Sequence, residues 1–315
     1  MERLAIATVG ALLGATLAVA PVAAQEWPGD APYRVSDSKL KGALACRGGM
    51  DRLDGNGRKQ PVLLVHGTGI DRRESWGWNY WDVLHRRGFE VCWVQLPGRA
   101  LGDAQRSSEF VARAYSTIHR RAGEKVDVLG HSQGGLEPRW AIKWFRSGRH
   151  VADYISLATP NHGTVVADAS AEGDGCFPSC WQMRTVASFI EALNRDEETP
   201  GPIHYTNIYS DTDELVQPSG TSDLAGGSNI RIQDICPGRP VDHANILGDY
   251  LTFKLVMDAL TQPGPARPDR LPPLVCAGGS MPGIGTPPPG LANLDDFSQG
   301  QPTDHEPPLK PYAQP

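Results

Sequence analysis

The sequence predicts an α/β protein whose mostly parallel central sheet carries helices on both faces. Three observations lead there. Short apolar runs such as Pro61-Val62-Leu63-Leu64-Val65 alternate with amphipathic stretches of helical period. The runs are apolar on both of their faces, as strands are in sheets that helices cover from two sides. Two of them end abruptly in Gly-rich turns, His66-Gly67-Thr68-Gly69 and Gly130-His131-Ser132-Gln133-Gly134-Gly135.

Composition narrows the class further. The chain has 315 residues, a formal net charge of -6 and 21% charged residues, a balance that argues against disorder and against a broad nucleic-acid surface. Its 35 Gly and 27 Pro follow no repeat, which excludes collagen and points to shaped loops. Neither heptads nor a solenoid period occurs.

Taken in order, residues 4–24 form an apolar run after Arg3 that ends in Val22-Ala23-Ala24. The small residues at its end mark a secretory signal peptide cleaved near Ala24. The mature chain is expected to be secreted and extracellular, without stable membrane insertion, because no second run is long enough to span a bilayer. Residues 25–60 are polar and turn-rich. After the strand at 61–65, residues 74–87 read as one amphipathic helix with Trp76, Trp81 and Leu84, stopped by Gly88. A strand at 89–94, a helix at 105–121 and a strand at 126–129 follow. A helix with Trp140, Ile142 and Trp144 comes next, its Pro138 placed where it would bend the start. Strands at 154–158 and 203–209 and a last helix at 244–260 complete a catalytic domain over residues 25–262. Residues 263–315 are rich in Pro and Gly and lack apolar period, the composition of a disordered tail, although Cys276 ties its first part to the body.

The six cysteines are Cys46, Cys92, Cys176, Cys180, Cys236 and Cys276. An exported chain pairs them. Cys176 and Cys180 are close enough to close a small loop, and spacing alone leaves the other connectivities open. No His lies beside them at ligand spacing, so no metal is expected.

Gly130-His131-Ser132-Gln133-Gly134 fits Gly-x-Ser-x-Gly. In this pattern the serine occupies a sharp strand-to-helix turn that glycines allow to pack closely, leaving its hydroxyl clear at a helix amino end. The run at 126–129 before it and the helical period after it supply that context. A serine nucleophile needs a base, and the base an orienting acid. Downstream of Ser132, Asp211 and Asp213 both follow the strand at 203–209, and His243 opens the last helix in the chain order expected for such a triad. His162 and His204 are read as structural. The oxyanion donors expected are the backbone N–H of Gln133 and the loop Gly67-Thr68-Gly69, with the Thr68 hydroxyl.

At this point the motifs resemble a known family. Thr206-Asn207-Ile208-Tyr209-Ser210-Asp211-Thr212-Asp213-Glu214-Leu215-Val216-Gln217-Pro218 looks like the acid-bearing segment of the Candida antarctica lipase B family. Val241-Asp242-His243-Ala244, Leu64-Val65-His66-Gly67-Thr68-Gly69, Ser132-Gln133-Gly134-Gly135-Leu136 and Pro311-Tyr312-Ala313-Gln314-Pro315 are similar to further segments of it. The likeness spans about residues 40 to 262 plus that final patch. It implies the α/β-hydrolase fold, Asp213 rather than Asp211 as the acid, and Thr68 and Gln133 as the oxyanion hole. It also implies Leu215 and Val216 as apolar pocket lining, and the disulfides Cys46–Cys92 and Cys236–Cys276, which leaves Cys176–Cys180 as an extra local pair.

Two departures carry expectations of their own. His131 stands before the nucleophile where the fungal enzyme has Trp, so the pocket wall there is smaller and polar. The Pro-rich residues 277–310 hold no counterpart of the family's long apolar helix, implying a wider entrance. Ala158-Thr159-Pro160-Asn161-His162-Gly163 looks more like bacterial lipases.

The expected function is a secreted serine hydrolase of apolar carboxylic esters, acting without cofactor as a monomer, in contact with a lipid–water interface. Alternatives on the same triad are polyester hydrolysis and acyl transfer. A different class of protein, an inactive lipid-binding relative, would have no need of the triad. Residues 176–194 are the lid candidate, by position and length.

Overall fold

The computed structural model describes residues 1, 29–53, 59–173, 175–289, 291 and 300–315. The expected signal peptide therefore lies outside the described residues, apart from Met1.

Among the described residues seven strands form one sheet: β1 (Leu44–Cys46), β2 (Val62–Val65), β3 (Val91–Val94), β4 (Val126–His131), β5 (Val151–Leu157), β6 (His204–Tyr209) and β7 (Ser228–Arg231). They run in the order β1-β3-β2-β4-β5-β6-β7. β1 pairs antiparallel with β3, and the other pairs are parallel. The helices are α1 (Asp37–Ala43), α2 (Arg72–Trp76), α3 (Tyr80–His85), α4 (Ala104–Ala122), α5 (Leu136–Trp144), α6 (Val165–Glu172), α7 (Pro178–Gln182), α8 (Ser188–Asn194), α9 (Ile232–Ile235) and α10 (Tyr250–Thr261).

Alternate strand residues feed two cores, as the period of a pleated strand requires. Leu63, Val65, Cys92, Val94, Val128 and Tyr154 join α1, α4, α5 and α8 on one face. Val62, Leu64, Val91, Trp93, Leu129 and Ile155 join α3 and α10 on the other. The parallel strands share one carboxyl edge, and the loops that leave it carry Thr68, Ser132 and Asp213.

Several expectations need correction. The helix expected at 74–87 is two helices, because Asn79 bonds Ser75 O through its amide and caps Tyr80 N, restarting the chain after Gly77. Trp76 is fully buried, and the partly buried Trp81 stacks on Trp93 at 3.6 Å, which agrees with core packing of both. The last helix begins at Tyr250, capped by Asp249; residues 244–249 hold a short 3-10 turn instead. Pro138 falls in the first turn of α5, which runs on through Trp144 without interruption. The turn-rich stretch at 25–60 also yields α1 and the edge strand β1.

Described parts of the carboxy-terminal segment are anchored to the body at several points. Arg239 donates to the carbonyls of Cys276, Gly278 and Gly279, and Cys236 is bonded to Cys276. Thr303 pairs with Cys176, and the Glu306 carboxylate caps α8 by accepting Ser188 N and Phe189 N. Tyr312 lies against Trp140, Trp144 and Phe145. A few strong anchors thus replace periodicity, and composition does not reveal them. Among the described residues no helix is long and apolar enough to cross a membrane.

Candidate active site

Ser132 sits at the turn between β4 and α5 with φ of 57°, a left-handed conformation that costs a non-glycine residue energy and is held by its surroundings. The flanking glycines make the turn possible. A Cβ on Gly130 would collide with the Gly134 carbonyl, and one on Gly134 with the carbonyls of Val65 and His66. Thr159 Oγ1 donates to Ser132 O at 2.9 Å and fixes the turn from β5's loop.

Asp213 lies in the loop after β6. Its Oδ1 accepts the amides of Leu215 and Val216, each at 2.8 Å, and its Oδ2 accepts His243 Nδ1 at 2.7 Å. Both oxygens of this buried carboxylate are therefore engaged, and both side chains are only 3% exposed. Burial pushes Asp213 up, but the His243 charge and hydrogen bond, with the two amides, outweigh it and hold the carboxyl below its ordinary value. For His243 burial acts downward, yet Asp213, joined by Glu214 and Asp242, holds the imidazole above its ordinary value. Asp211, left open by position alone, points elsewhere: it pairs with Arg231 and accepts from Ser219. His162 binds Glu198 and Thr221, and His204 binds Asp153.

His131 Nε2 donates to the carbonyl of His243 at 2.9 Å. That donation fixes its tautomer, and Nδ1 has no partner among the described residues. Burial, followed by the neighbouring His243, pushes the His131 imidazole down to about 3, so the ring stays neutral. On the opposite wall, Thr68 Oγ1 donates to Gln133 Oε1 at 2.5 Å.

Ser132, His243, Thr68, His131, Leu215 and Val216 line one cavity of about 860 Å³. Gln133 lies beneath it, fully buried. Residues that sequence reasoning missed complete the wall: Val166, Ala169 and Ser170 of α6, and Gln301 and Pro302 of the carboxy-terminal segment. The lid candidate divides in two. Phe177, Cys180 and Met183 reach the cavity, whereas Phe189 of α8 stacks on Trp140 at 4.5 Å and belongs to the core. Where the apolar helix is absent, Pro287, Pro288 and Pro289 face a second cavity of about 660 Å³ that shares Leu215 with the first.

All six cysteines are bonded, as Cys46–Cys92, Cys176–Cys180 and Cys236–Cys276. Among the described residues no group of three His, Cys, Asp or Glu could hold a metal ion.

A model of the alpha/beta hydrolase family matches residues 62–300. Lipase B of Pseudozyma antarctica is 30% identical over 270 residues, covering 82% of this chain and 78% of that protein. A triacylglycerol lipase of Pseudarthrobacter phenanthrenivorans is 26% identical over 141 residues, covering 43% of this chain and 44% of its own length. The crystal structure of Aspergillus fumigatus lipase B superposes with a TM-score of 0.81 at 30% identity, covering 97% of this chain and 77% of that chain. These matches bear out the resemblance read from the motifs, and the chain belongs to the alpha/beta hydrolase family, within its lipase B group.

Proposed function

We propose that the protein is a secreted serine lipase or esterase in which Ser132, His243 and Asp213 form the catalytic triad. One observation carries the reading: an aspartate-bound histidine lines the same apolar cavity as a serine held at φ 57°. His243 Nε2 takes the proton from Ser132 Oγ as that oxygen attacks the ester carbonyl. The backbone N–H groups of Gln133 and Thr68 receive the oxyanion. On collapse, the same imidazole gives its proton to the departing alkoxide, and an acyl-serine ester remains. Water then attacks the acyl carbon while His243 removes its proton, releasing the acid and restoring Ser132. No step calls for a metal or an organic cofactor.

The substrate class follows from the lining. Phe177, Met183, Leu215 and Val216 suit an apolar acyl chain, and lipase B of Pseudozyma antarctica, by its name, acts on lipid esters. Three disulfides accord with an oxidising compartment, and so with export after removal of residues 1–24. Residues 25–262 then form the catalytic domain, with 263–315 as an extension, and the chain works as a monomer at lipid surfaces.

The test is hydrolysis of p-nitrophenyl esters from acetate to palmitate and of a triglyceride emulsion, with Ser132→Ala as control. Ser132-dependent activity reaching long chains or emulsion supports a lipase. Activity confined to short esters makes it an esterase and turns attention to polyester films; product ratios in added alcohol report acyl transfer. Absence of any Ser132-dependent activity in the folded protein overturns the hydrolase reading in favour of a lipid-binding relative.

A further inference from the structure

A buried carboxyl that the reaction above does not use stands behind the oxyanion half of the site. Glu137 lies in the first turn of α5, four residues after Gln133, and is fully buried. Its Oε1 accepts Gln133 Nε2 at 2.7 Å, and its Oε2 has no partner among the described residues. Gln133 Nε2 also donates to the Ala100 carbonyl at 2.9 Å. The Ala100 carbonyl, which can only accept, leaves the amide a single orientation, because a flipped amide would set its oxygen against that carbonyl. Its own oxygen must then face Thr68, whose hydroxyl donates to it. The loop after β2 is thereby tied to the turn after β4. From the other end the loop after β3 holds it as well, since Gly69 N donates to Arg99 O and Arg99 Nε to Gly69 O.

We propose that Glu137 is a positioning residue for the oxyanion hole: through the Gln133 amide it fixes Thr68, and with it the spacing of the two backbone donors that receive the oxyanion. The proposal rests on the hydrolase reading given above. An apolar side chain of similar size would fill this site without leaving an unpaired oxygen. The carboxyl is also placed where its charge matters. Burial pushes it up to about 8, against the opposing Gln133 hydrogen bond, so it is a neutral acid at pH 7 and becomes an anion in mild alkali. An anion behind the oxyanion hole opposes the negative charge of the tetrahedral intermediate, and ionisation lowers kcat.

Other charged groups leave this environment to Glu137 alone. Tyr154 of β5 faces it, with its hydroxyl donated to Gly135 O. Arg139 and Lys143 of its own helix turn to carbonyls in and after α8. On α4, Glu109 and Arg113 bind the amino-terminal segment, and Asp127 of β4 couples to Asp153. Arg146 and Arg149, in the turn after α5, and Glu191 of α8 lie at the surface.

The test measures kcat and KM for a soluble p-nitrophenyl ester from neutral to strongly alkaline pH, in the wild type, Glu137→Gln and Glu137→Leu. The wild type is expected to lose kcat along a limb near pH 8. Glu137→Gln, which keeps an acceptor for Gln133, retains neutral kcat and lacks that limb. Glu137→Leu loses about tenfold to a hundredfold in kcat with KM little changed. A Glu137→Gln profile that superimposes on the wild type overturns the proposal, as does a folded Glu137→Leu with full kcat. Should Glu137→Leu not fold, the Glu137→Gln profile decides. Ser132→Ala separates the two levels: without Ser132-dependent hydrolysis the hydrolase reading itself fails, whereas hydrolysis with an unmoved limb removes only the role of Glu137.

Discussion

Glu214 accepts the backbone N–H of His243 at 3.1 Å. A carboxylate is thus fixed beside an imidazole that Asp213 already holds on its far side. Burial opposes the charged ring, but Asp213, Glu214 and Asp242 together keep it above its ordinary value of 6.5. Because His243 must be neutral to act as a base, the acid limb of kcat/KM is expected above pH 6.5. Glu214→Gln keeps the acceptor and removes the charge, so the limb moves to lower pH. A pH–rate profile checks it, and a limb that does not move counts against Glu214.

The choice between two neighbouring aspartates is equally open to measurement. Asp213→Asn removes the acceptor charge from His243 and is expected to lower kcat by about 10⁴-fold. Asp211→Asn changes only an exposed pairing with Arg231 and Ser219, and its kcat should stay within about twofold of the wild type. The reverse ranking would reassign the acid.

At the amino end of the central strand β4, burial and then the neighbouring Asp153 push the Asp127 carboxyl well up. The folded protein therefore favours the protonated form. Its contribution to stability is full below the unfolded value of 3.8 and is lost as pH rises through the folded one. Asp127→Asn removes the group that must stay protonated. Its Tm relative to the wild type is expected to increase from acid to alkaline pH, by thermal melts at several pH values. A constant difference would show that Asp127 does not titrate in this way.

Tyr312 packs on Trp140, Trp144 and Phe145, and Trp140 Nε1 donates to its hydroxyl at 3.3 Å. Tyr312→Ala is expected to cost about 2 kcal/mol, less than a fully buried aromatic would. Urea unfolding measures it, and a loss below about 0.5 kcal/mol would mean the segment is a passive cover.

Cys236–Cys276 closes a loop of sequence separation 40 and anchors the start of that same segment. Replacing both cysteines by serine is expected to lower stability by about 4 kcal/mol through the freedom regained by the unfolded chain. Equal unfolding midpoints would show that Arg239 and its three carbonyl contacts hold the segment alone.

Much of this arrangement is legible in the chain, and the gaps have physical causes. Strands with long apolar runs declare themselves because both of their faces are buried. β7 does not: Asn229 and Arg231 are exposed on an edge, and only Ile230 is buried. Ser132 and His243 stand out by motif and order, whereas position alone does not separate Asp213 from Asp211, because the contact that does, Asp213 with His243, joins residues 30 apart in the chain. Residues 176–194 read as a lid by position and length alone, and neither shows that Phe189 of α8 is drawn inward by stacking on Trp140. Glu137 was missed because a charged residue in a helix defaults to the surface. Its signal was there, a carboxylate four residues after Gln133, the spacing at which helical side chains meet.

Trp140 and Tyr312 are 172 residues apart in the chain. A ribosome working at about 5–20 residues per second therefore leaves Trp140, Trp144 and Phe145 without their roof for roughly 10 to 30 seconds. During that interval the nascent chain carries a greasy, unfinished face suited to a holding chaperone. Closure of this part of the core thus waits for a residue made long after the ones it covers.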